Sequence, residues 1–306
     1  MSRRSALKAG VGMLVAGHPA FSATLSKGDR MSLPTRSIPR SGEALPIIGV
    51  GTWQTFDVAP QAPEREELET VLRLLVERGG KVVDSSPMYG KSEAVTGDLT
   101  SKLGLRERLF FATKVWTRGR DAGIQQMEQS FKLMRTQRMD LMQIHNLLDV
   151  DTHTATLQAW KTAGRVRYIG ITHYHAGAHR DLENYVKTKR YDFAQFNFSM
   201  SEREAEDRLL SVCADHGTAV IVNRPFAGAD LFSRVKGKSL PPWAVDFDCA
   251  SWGQFFMKWI LSHPAVTCAI PGTSRRTHME DNLQAGMGKM PDSRTRQRML
   301  DYLQQL

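Results

Sequence analysis

Lys81-Val-Val-Asp-Ser-Ser-Pro-Met-Tyr-Gly90 is a short aliphatic run that ends in a carboxylate and then turns through Ser-Ser-Pro. Such a run reads as a buried strand with its polar residue at the C-terminal end, followed by a loop. The pattern recurs downstream, where Leu109-Phe-Phe-Ala-Thr-Lys114 and Asp140-Leu-Met-Gln-Ile-His145 also finish on ionisable side chains. Working outward, comparable runs occupy residues 47–52, 81–85, 109–115, 140–145, 166–172, 193–198, 219–223 and 266–271. Amphipathic stretches lie between them. Leu68, Val71, Leu72 and Leu75 predict a helix over 64–77, and Leu209, Leu210 and Val212 one over 202–216. A last helix is expected over 292–305, and Gly79, Gly80, Gly164 and Gly217 fall just past helix ends, where left-handed backbone suits glycine. Eight strand–helix units without a composition break favour one closed (β/α)8 TIM barrel with a C-terminal tail helix. No G-x-G-x-x-G follows the first run, which removes the main support for an open dinucleotide-binding sheet. Residues 226–243, after the seventh run, read as a long irregular loop of functional type.

The 306 residues are 41% hydrophobic and 24% charged, enough to bury the core of one large barrel. The formal net charge of +9 invites a nucleic-acid reading, but its distribution argues otherwise. Arg3, Arg4 and Lys8 carry three of those charges, and the rest are dispersed in short groups such as Arg234/Lys236/Lys238, Arg275/Arg276 and Arg294/Arg296/Arg298. Cys213, Cys249 and Cys268 are odd in number and widely spaced, which supports neither a disulfide framework nor a zinc site. The longest apolar stretch, near 9–16, is too short to span a bilayer, so no stable membrane anchor is expected.

Residues 1–30 read as an export signal and linker, and 31–306 as the barrel. Ser2-Arg-Arg-Ser-Ala-Leu-Lys8 resembles the twin-arginine signal, with Ala6 where Phe is usual, followed by a weakly apolar middle and small residues near Ala20. This implies a partner in the twin-arginine translocation machinery and a periplasmic protein exported folded; with Met31 as the true start it would be cytoplasmic.

A barrel places its active site at the C-terminal ends of its strands. Asp84, Lys114 and His145 end three consecutive strands there, and Tyr89 follows in the first loop. Strands lie about 4.8 Å apart, so these side chains can meet. Taken singly they read as an ion pair, a core histidine and a packed loop ring; together they read as a functional site. Lys114 beside Tyr89 is expected to lower the phenol's proton affinity, Asp84 to hold Lys114 charged, and a neutral His145 to orient a carbonyl oxygen.

These residues resemble the aldo-keto reductases. The resemblance runs from about Ile38 to Asn282 through Gly49-Val-Gly-Thr-Trp53, Asp84-Ser-Ser-Pro-Met-Tyr89-Gly90, Ala112-Thr-Lys114, Gln143-Ile-His145, Gly164-Arg-Val-Arg-Tyr-Ile-Gly170, Gln195-Phe-Asn197 and Ile270-Pro-Gly-Thr-Ser274. It implies an NADP-dependent oxidoreductase acting on a small carbonyl substrate, with Tyr89 as the acid and Asp84, Lys114 and His145 completing the tetrad. It also implies cofactor contacts at Thr52, Trp53, Thr172, Gln195, Thr273, Ser274 and Asn282. Two positions depart from the family. His173 stands where Asn usually follows the Ser matched by Thr172, and Val222-Asn-Arg-Pro-Phe226 replaces a stacking Tyr, leaving Asn223, Arg224 and Phe226 as alternatives. His278 stands at the usual contact for the 2′-phosphate, so NADP(H) over NAD rests on Arg275 or Arg276 at a helix start. Lys236 and Lys238 are further phosphate candidates. Trp53, Phe56, Trp116 and Leu147 are candidates to line an apolar substrate pocket. Two rival readings remain: a non-catalytic nicotinamide-nucleotide sensor, and a metal-dependent hydrolase using His175 and His179 at helical spacing.

Overall fold

A computed structural model describes residues 32–306. The export-signal reading of residues 1–30 lies outside the described residues. A hairpin of β1 (Thr35–Ser37) and β2 (Ala44–Pro46) comes first. Eight parallel strands follow: β3 (Val50–Gly51), β4 (Val82–Asp84), β5 (Phe110–Val115), β6 (Met139–His145), β7 (Val166–Thr172), β8 (Phe193–Asn197), β9 (Ala219–Asn223) and β10 (Cys268–Ala269). Each pairs with its neighbour in chain order, and the parallel bridges Ile48–Ala269 and Gly51–Gly272 join the first to the last. The result is the expected (β/α)8 barrel. Its first and last strands are shorter than the aliphatic runs suggested, because closure uses isolated bridges where a full ladder was expected.

The outer helices are α1 (Glu64–Glu77), α2 (Ser92–Lys102), α3 (Arg120–Leu133), α4 (Val150–Thr162), α5 (His179–Lys187), α6 (Leu209–Asp215), α7 (Asp230–Arg234), α8 (Trp252–Leu261) and α9 (Arg276–Gln284), with α10 (Ser293–Gln304) as the tail. None of them is long and apolar enough to cross a membrane. Gly164, at φ +73°, closes α4. The helix expected over 202–216 is broken: Glu204–Glu206 forms one 3-10 turn, and Arg208 leaves helical geometry at φ −152° before α6 begins. Tertiary bonds account for the break. Glu202 accepts from Asn197 and Arg224, and Arg208 reaches Glu183, so the side chains on either side of the break are tied to other elements. The stretch 226–243 is likewise more ordered than a loop, since it contains a short turn and α7 and leads into the 3-10 helix Pro242–Phe247.

Strand alternation sends one set of side chains between sheet and helices and the other into the barrel. The inner set begins with an apolar layer in which Phe110, Leu141, Tyr168 and Phe193 pack with Ile38 and Leu45 from either side of the hairpin turn. The hairpin therefore plugs the N-terminal end, and the interior turns polar only above that plug.

Helix α2 starts three residues after Tyr89 and packs on α3 with no room to spare. A Cβ at Gly97 would lie 2.1 Å from the Leu133 carbonyl oxygen and 2.8 Å from Met134 Cα, both backbone atoms. Alanine normally gains about 1 kcal/mol over glycine inside a helix. Here we expect Gly97→Ala to destabilise by about 1–3 kcal/mol, as overpacking does, and thermal unfolding should show a lowered Tm.

Candidate active site

Above the plug, register brings the polar ends of the strands into one layer. Asp84 pairs with Ala112, Lys114 with Gln143, and His145 with Thr172. Lys114 Nζ donates to Asp84 Oδ2 at 2.7 Å and to the Ser85 carbonyl at 2.6 Å. Both side chains are buried, at 0% and 3% exposure, so this is an ion pair removed from water. The other carboxylate oxygen, Asp84 Oδ1, accepts from Gln143 Nε2 at 3.2 Å and Gln195 Nε2 at 2.8 Å. Thr172 Oγ1 donates to Gln195 Oε1 at 3.1 Å, extending the layer to β7. A buried charge is tolerable only when its lone pairs are matched in this way.

Tyr89 is half-buried over this pair. Its ring centroid lies 5.0 Å from Lys114 Nζ and 5.9 Å from the His145 ring. Burial raises the phenol's pKa; Lys114 pulls it down, Asp84 pushes it up, and the net shift is upward. The sequence led to the opposite expectation, that Lys114 would lower it, because residue order shows the cation but not the loss of water around the ring. Burial also works against the Lys114 charge, but Asp84 and Tyr89 outweigh it and raise the ammonium's pKa. His145 is held neutral, its pKa lowered to about 2 by burial and then by Lys114 and His173.

Thr52 does structural duty at this rim. Its hydroxyl donates to the Asp84 carbonyl (3.0 Å) and can accept from Ser85 Oγ (2.9 Å), and its own carbonyl accepts from Ser92 Oγ, tying β3 to the Tyr89 loop and to α2. Asp57 Oδ1 accepts from Lys91 N at 2.9 Å and steadies the same turn. Trp53, Trp116 and Tyr174 are exposed around the mouth, with Trp116 6.4 Å from the His145 ring. Leu147 is half-buried in the loop after β6, whereas Phe56 is fully buried in the core.

His173 follows Thr172 at the end of β7, and its Nδ1 accepts from Tyr174 N at 3.0 Å, which leaves Nε2 as its donor. Burial, then His175 and His179, lower its pKa to about 4. Asn223 Nδ2 donates to the His173 carbonyl at 3.1 Å, while Asn223 Oδ1 and Arg224 Nε are buried with no partner among the described residues. Arg224 itself pairs with Glu202 at 3.2 Å. Thr273 Oγ1 accepts from Arg275 N just before α9; Ser274 is half-buried beside it, and Asn282 is buried on α9. Arg276 is engaged with Glu280 at 2.9 Å, whereas Arg275 makes no side-chain bond among the described residues. Two residues that sequence reasoning left without a role belong to the site, Gln143 and Ser86. The signal for Gln143 was its place two residues before His145, on the same face of a strand.

His175 and His179 do not share the helix that a metal pair at that spacing requires. His175 is extended (φ −141°, ψ 155°), and His179 opens α5 with its Nε2 3.0 Å from Asn197 Oδ1. A cleft of about 470 Å³ lies at the opposite, N-terminal end, among Glu43, Lys81, Arg106, Arg138, Asp140 and Arg167. Several of its cations are already paired, Arg106 with Asp140 and Arg167 with both Asp140 and Glu43.

Residues 47–297 match the model of the aldo/keto reductase family. The chain belongs to that family. It is 26% identical over 284 residues to the NADP-dependent D-sorbitol-6-phosphate dehydrogenase of Malus domestica, covering 80% of this chain and 86% of that protein. It is 27% identical to the methylglyoxal reductase YeaE of Escherichia coli, covering 81% and 88%. The fold superposes on the crystal structure of an aldo-keto reductase from Klebsiella pneumoniae in complex with NADPH at TM-score 0.73 and 23% identity, covering 89% of this chain and 95% of that one.

Removing one member of a buried ion pair leaves the other uncompensated. Asp84→Ala and Lys114→Ala are each expected to destabilise by about 3–5 kcal/mol, and the double variant by clearly less than their sum. Denaturant unfolding of the three variants measures this, and strict additivity would show that the pair is not coupled.

Proposed function

We propose that this protein reduces a small aldehyde or ketone to an alcohol with NADPH, and that Tyr89 is the general acid. The observation that carries this reading is the buried Lys114–Asp84 pair beneath a protonated Tyr89, with a neutral His145 beside the ring. Relatives named for NADP-dependent dehydrogenation and methylglyoxal reduction, and a structural neighbour solved with NADPH, support it.

The residues present suit a nicotinamide nucleotide. Among the described residues Asn223 Oδ1 and Arg224 Nε have no partner at the rim, and Thr172, the Nε2 of His173 and the second N–H of Gln195 lie on or beside adjacent strands with hydrogen-bonding capacity left to offer a carboxamide. Thr52, Trp53, Thr273, Ser274 and Asn282 belong to the same proposal, with Arg275 as the cation available to the 2′-phosphate. When bound, NADPH supplies a hydride for the carbonyl carbon. Tyr89 delivers the proton to the carbonyl oxygen, and His145 hydrogen-bonds that oxygen and fixes its direction. Lys114 stabilises the phenolate left behind, and Asp84 keeps Lys114 charged and in place. Export through the twin-arginine pathway, with nucleotide loaded during cytoplasmic folding, is part of the same reading; recovery of a cytoplasmic protein that keeps residues 1–22 would contradict it.

Tyr89→Phe should lower kcat for carbonyl reduction by at least about 10²-fold, while quenching of tryptophan fluorescence still reports NADPH binding. Full activity in this variant would sink the mechanism.

The pH profile carries a sign. Reduction needs Tyr89 protonated, and its pKa is raised above the ordinary value of 10.0, while His145 is already neutral above about 2. The kcat for reduction should therefore stay flat from about pH 5 to 8 and fall only in the alkaline range. A tetrad-dependent midpoint near neutrality would contradict this assignment.

For the cofactor, Arg275→Ala should weaken NADPH binding by about tenfold and leave NADH binding unchanged, as loss of one charge-assisted contact does. Arg276→Ala, which removes a side chain occupied by Glu280, should do less.

A further inference from the structure

Ser86 lies in the loop between Asp84 and Tyr89 and is fully buried. Its Oγ is 3.1 Å from His145 Nδ1, and it also accepts from the backbone N–H of Met88 at 3.4 Å. An amide N–H can only donate, so the serine oxygen is an acceptor on that side. Its own proton then has one acceptor within reach among the described residues, the imidazole Nδ1. The reverse arrangement, with Nδ1–H donating to the serine, would leave the serine proton buried without a partner, at a cost of about 1–3 kcal/mol. His145 is neutral, so one ring nitrogen carries the proton, and the hydrogen bond made by the other decides which.

We propose that Ser86 is a positioning residue that locks His145 in the tautomer with a bare Nδ1 and a protonated Nε2, so that Nε2–H is the donor presented to the substrate oxygen. This rests on the reductase reading for its kinetic consequence but not for the tautomer itself. Without the serine hydroxyl, a buried neutral imidazole has no fixed reason to keep its proton on Nε2. In the other tautomer the nitrogen facing the reaction is a lone pair, which repels a carbonyl oxygen instead of binding it.

The test uses full-length protein labelled with ¹⁵N-histidine and needs no cofactor. Long-range ¹H–¹⁵N correlation spectra, with His145 assigned by comparison with a His145→Gln variant, report which nitrogen is protonated. The wild type should show a bare Nδ1 and a protonated Nε2, Ser86→Ala should lose that preference, and Ser86→Thr, which keeps the hydroxyl, should retain it. In turnover, Ser86→Ala should lower kcat about tenfold, a part of the 10²–10³ lost when an oxyanion donor is removed outright. Its KM for NADPH should be unchanged, and Ser86→Thr should restore the rate. A wild type with Nδ1 protonated, or a Ser86→Ala protein with unaltered tautomer and kcat, overturns the proposal. If no member of a panel of aldehydes and ketones is reduced by the wild type, the reductase reading fails, and the spectra alone still decide the role of Ser86.

Discussion

A lysine ammonium fully removed from water is the constraint around which the barrel interior is arranged. Lys114 has no solvent exposure, and the desolvation of such a group costs several kcal/mol unless it is matched. Asp84 matches it, and Asp84 in turn needs donors for its second oxygen, which Gln143 and Gln195 supply from two other strands. Five strands, β4 to β8, thus contribute to one polar layer. Shifting β6 or β8 by one residue would replace Gln143 or Gln195 with an apolar side chain, Met142 or Ile144 and Ala194 or Phe196, against the carboxylate. The ion pair is weak evidence of stability in itself, but it requires one alignment of the sheet.

The same end of the barrel carries most of the unfavourable backbone. Gln54 after β3, Asn146, Leu147 and Asp149 after β6, and Arg224, Ala227 and Ala229 after β9 all have positive φ although none is glycine. Such residues cost about 1–3 kcal/mol each and persist only where surrounding contacts over-determine them. Their concentration in the loops beyond the strand ends, with Asn223 Oδ1 and Arg224 Nε nearby and unpartnered among the described residues, marks this rim as shaped for something other than folding stability.

Much of this was legible in the residues. Helix α1 has the bounds its apolar spacing predicts, because Leu68, Val71, Leu72 and Leu75 all bury against the sheet. Asp84, Lys114 and His145 were legible as strand ends because an ionisable group is costly to bury, so one that closes an apolar run is seldom there for packing alone. The β1–β2 hairpin was not: Thr35-Arg-Ser37 has no periodicity, and its purpose, to bring Ile38 and Leu45 beneath the barrel, exists only once the sheet closes. The break at Arg208 was hidden for a related reason, since the bonds of Glu202 and Arg208 are to residues distant along the chain or in other elements. The direction of the Tyr89 shift does not follow from the sequence, because Coulombic partners can be guessed from motifs, whereas burial is a property of the assembled loop.

Strand β6 has two unlike ends. Asp140 near its start accepts from Phe111 N at 2.8 Å and pairs with Arg106 and Arg167, and Arg167 goes on to Glu43 in the hairpin turn. His145 at its other end lies five residues on, about 17 Å away at the rise of an extended chain. The basic groups Arg40, Lys81, Arg106, Arg108, Arg138 and Arg167 gather at the Asp140 end, where several hold carbonyls and carboxylates in place. These cations are interleaved with Glu43, Glu107, Asp140 and Asp192, so the closed end spends much of its charge on internal pairing. At the open end, the buried cation that acts on the Tyr89 phenol is Lys114, and Asp84, which holds that cation, acts on the same ring in the opposite sense, so the proton on Tyr89 is set by one ion pair and by burial.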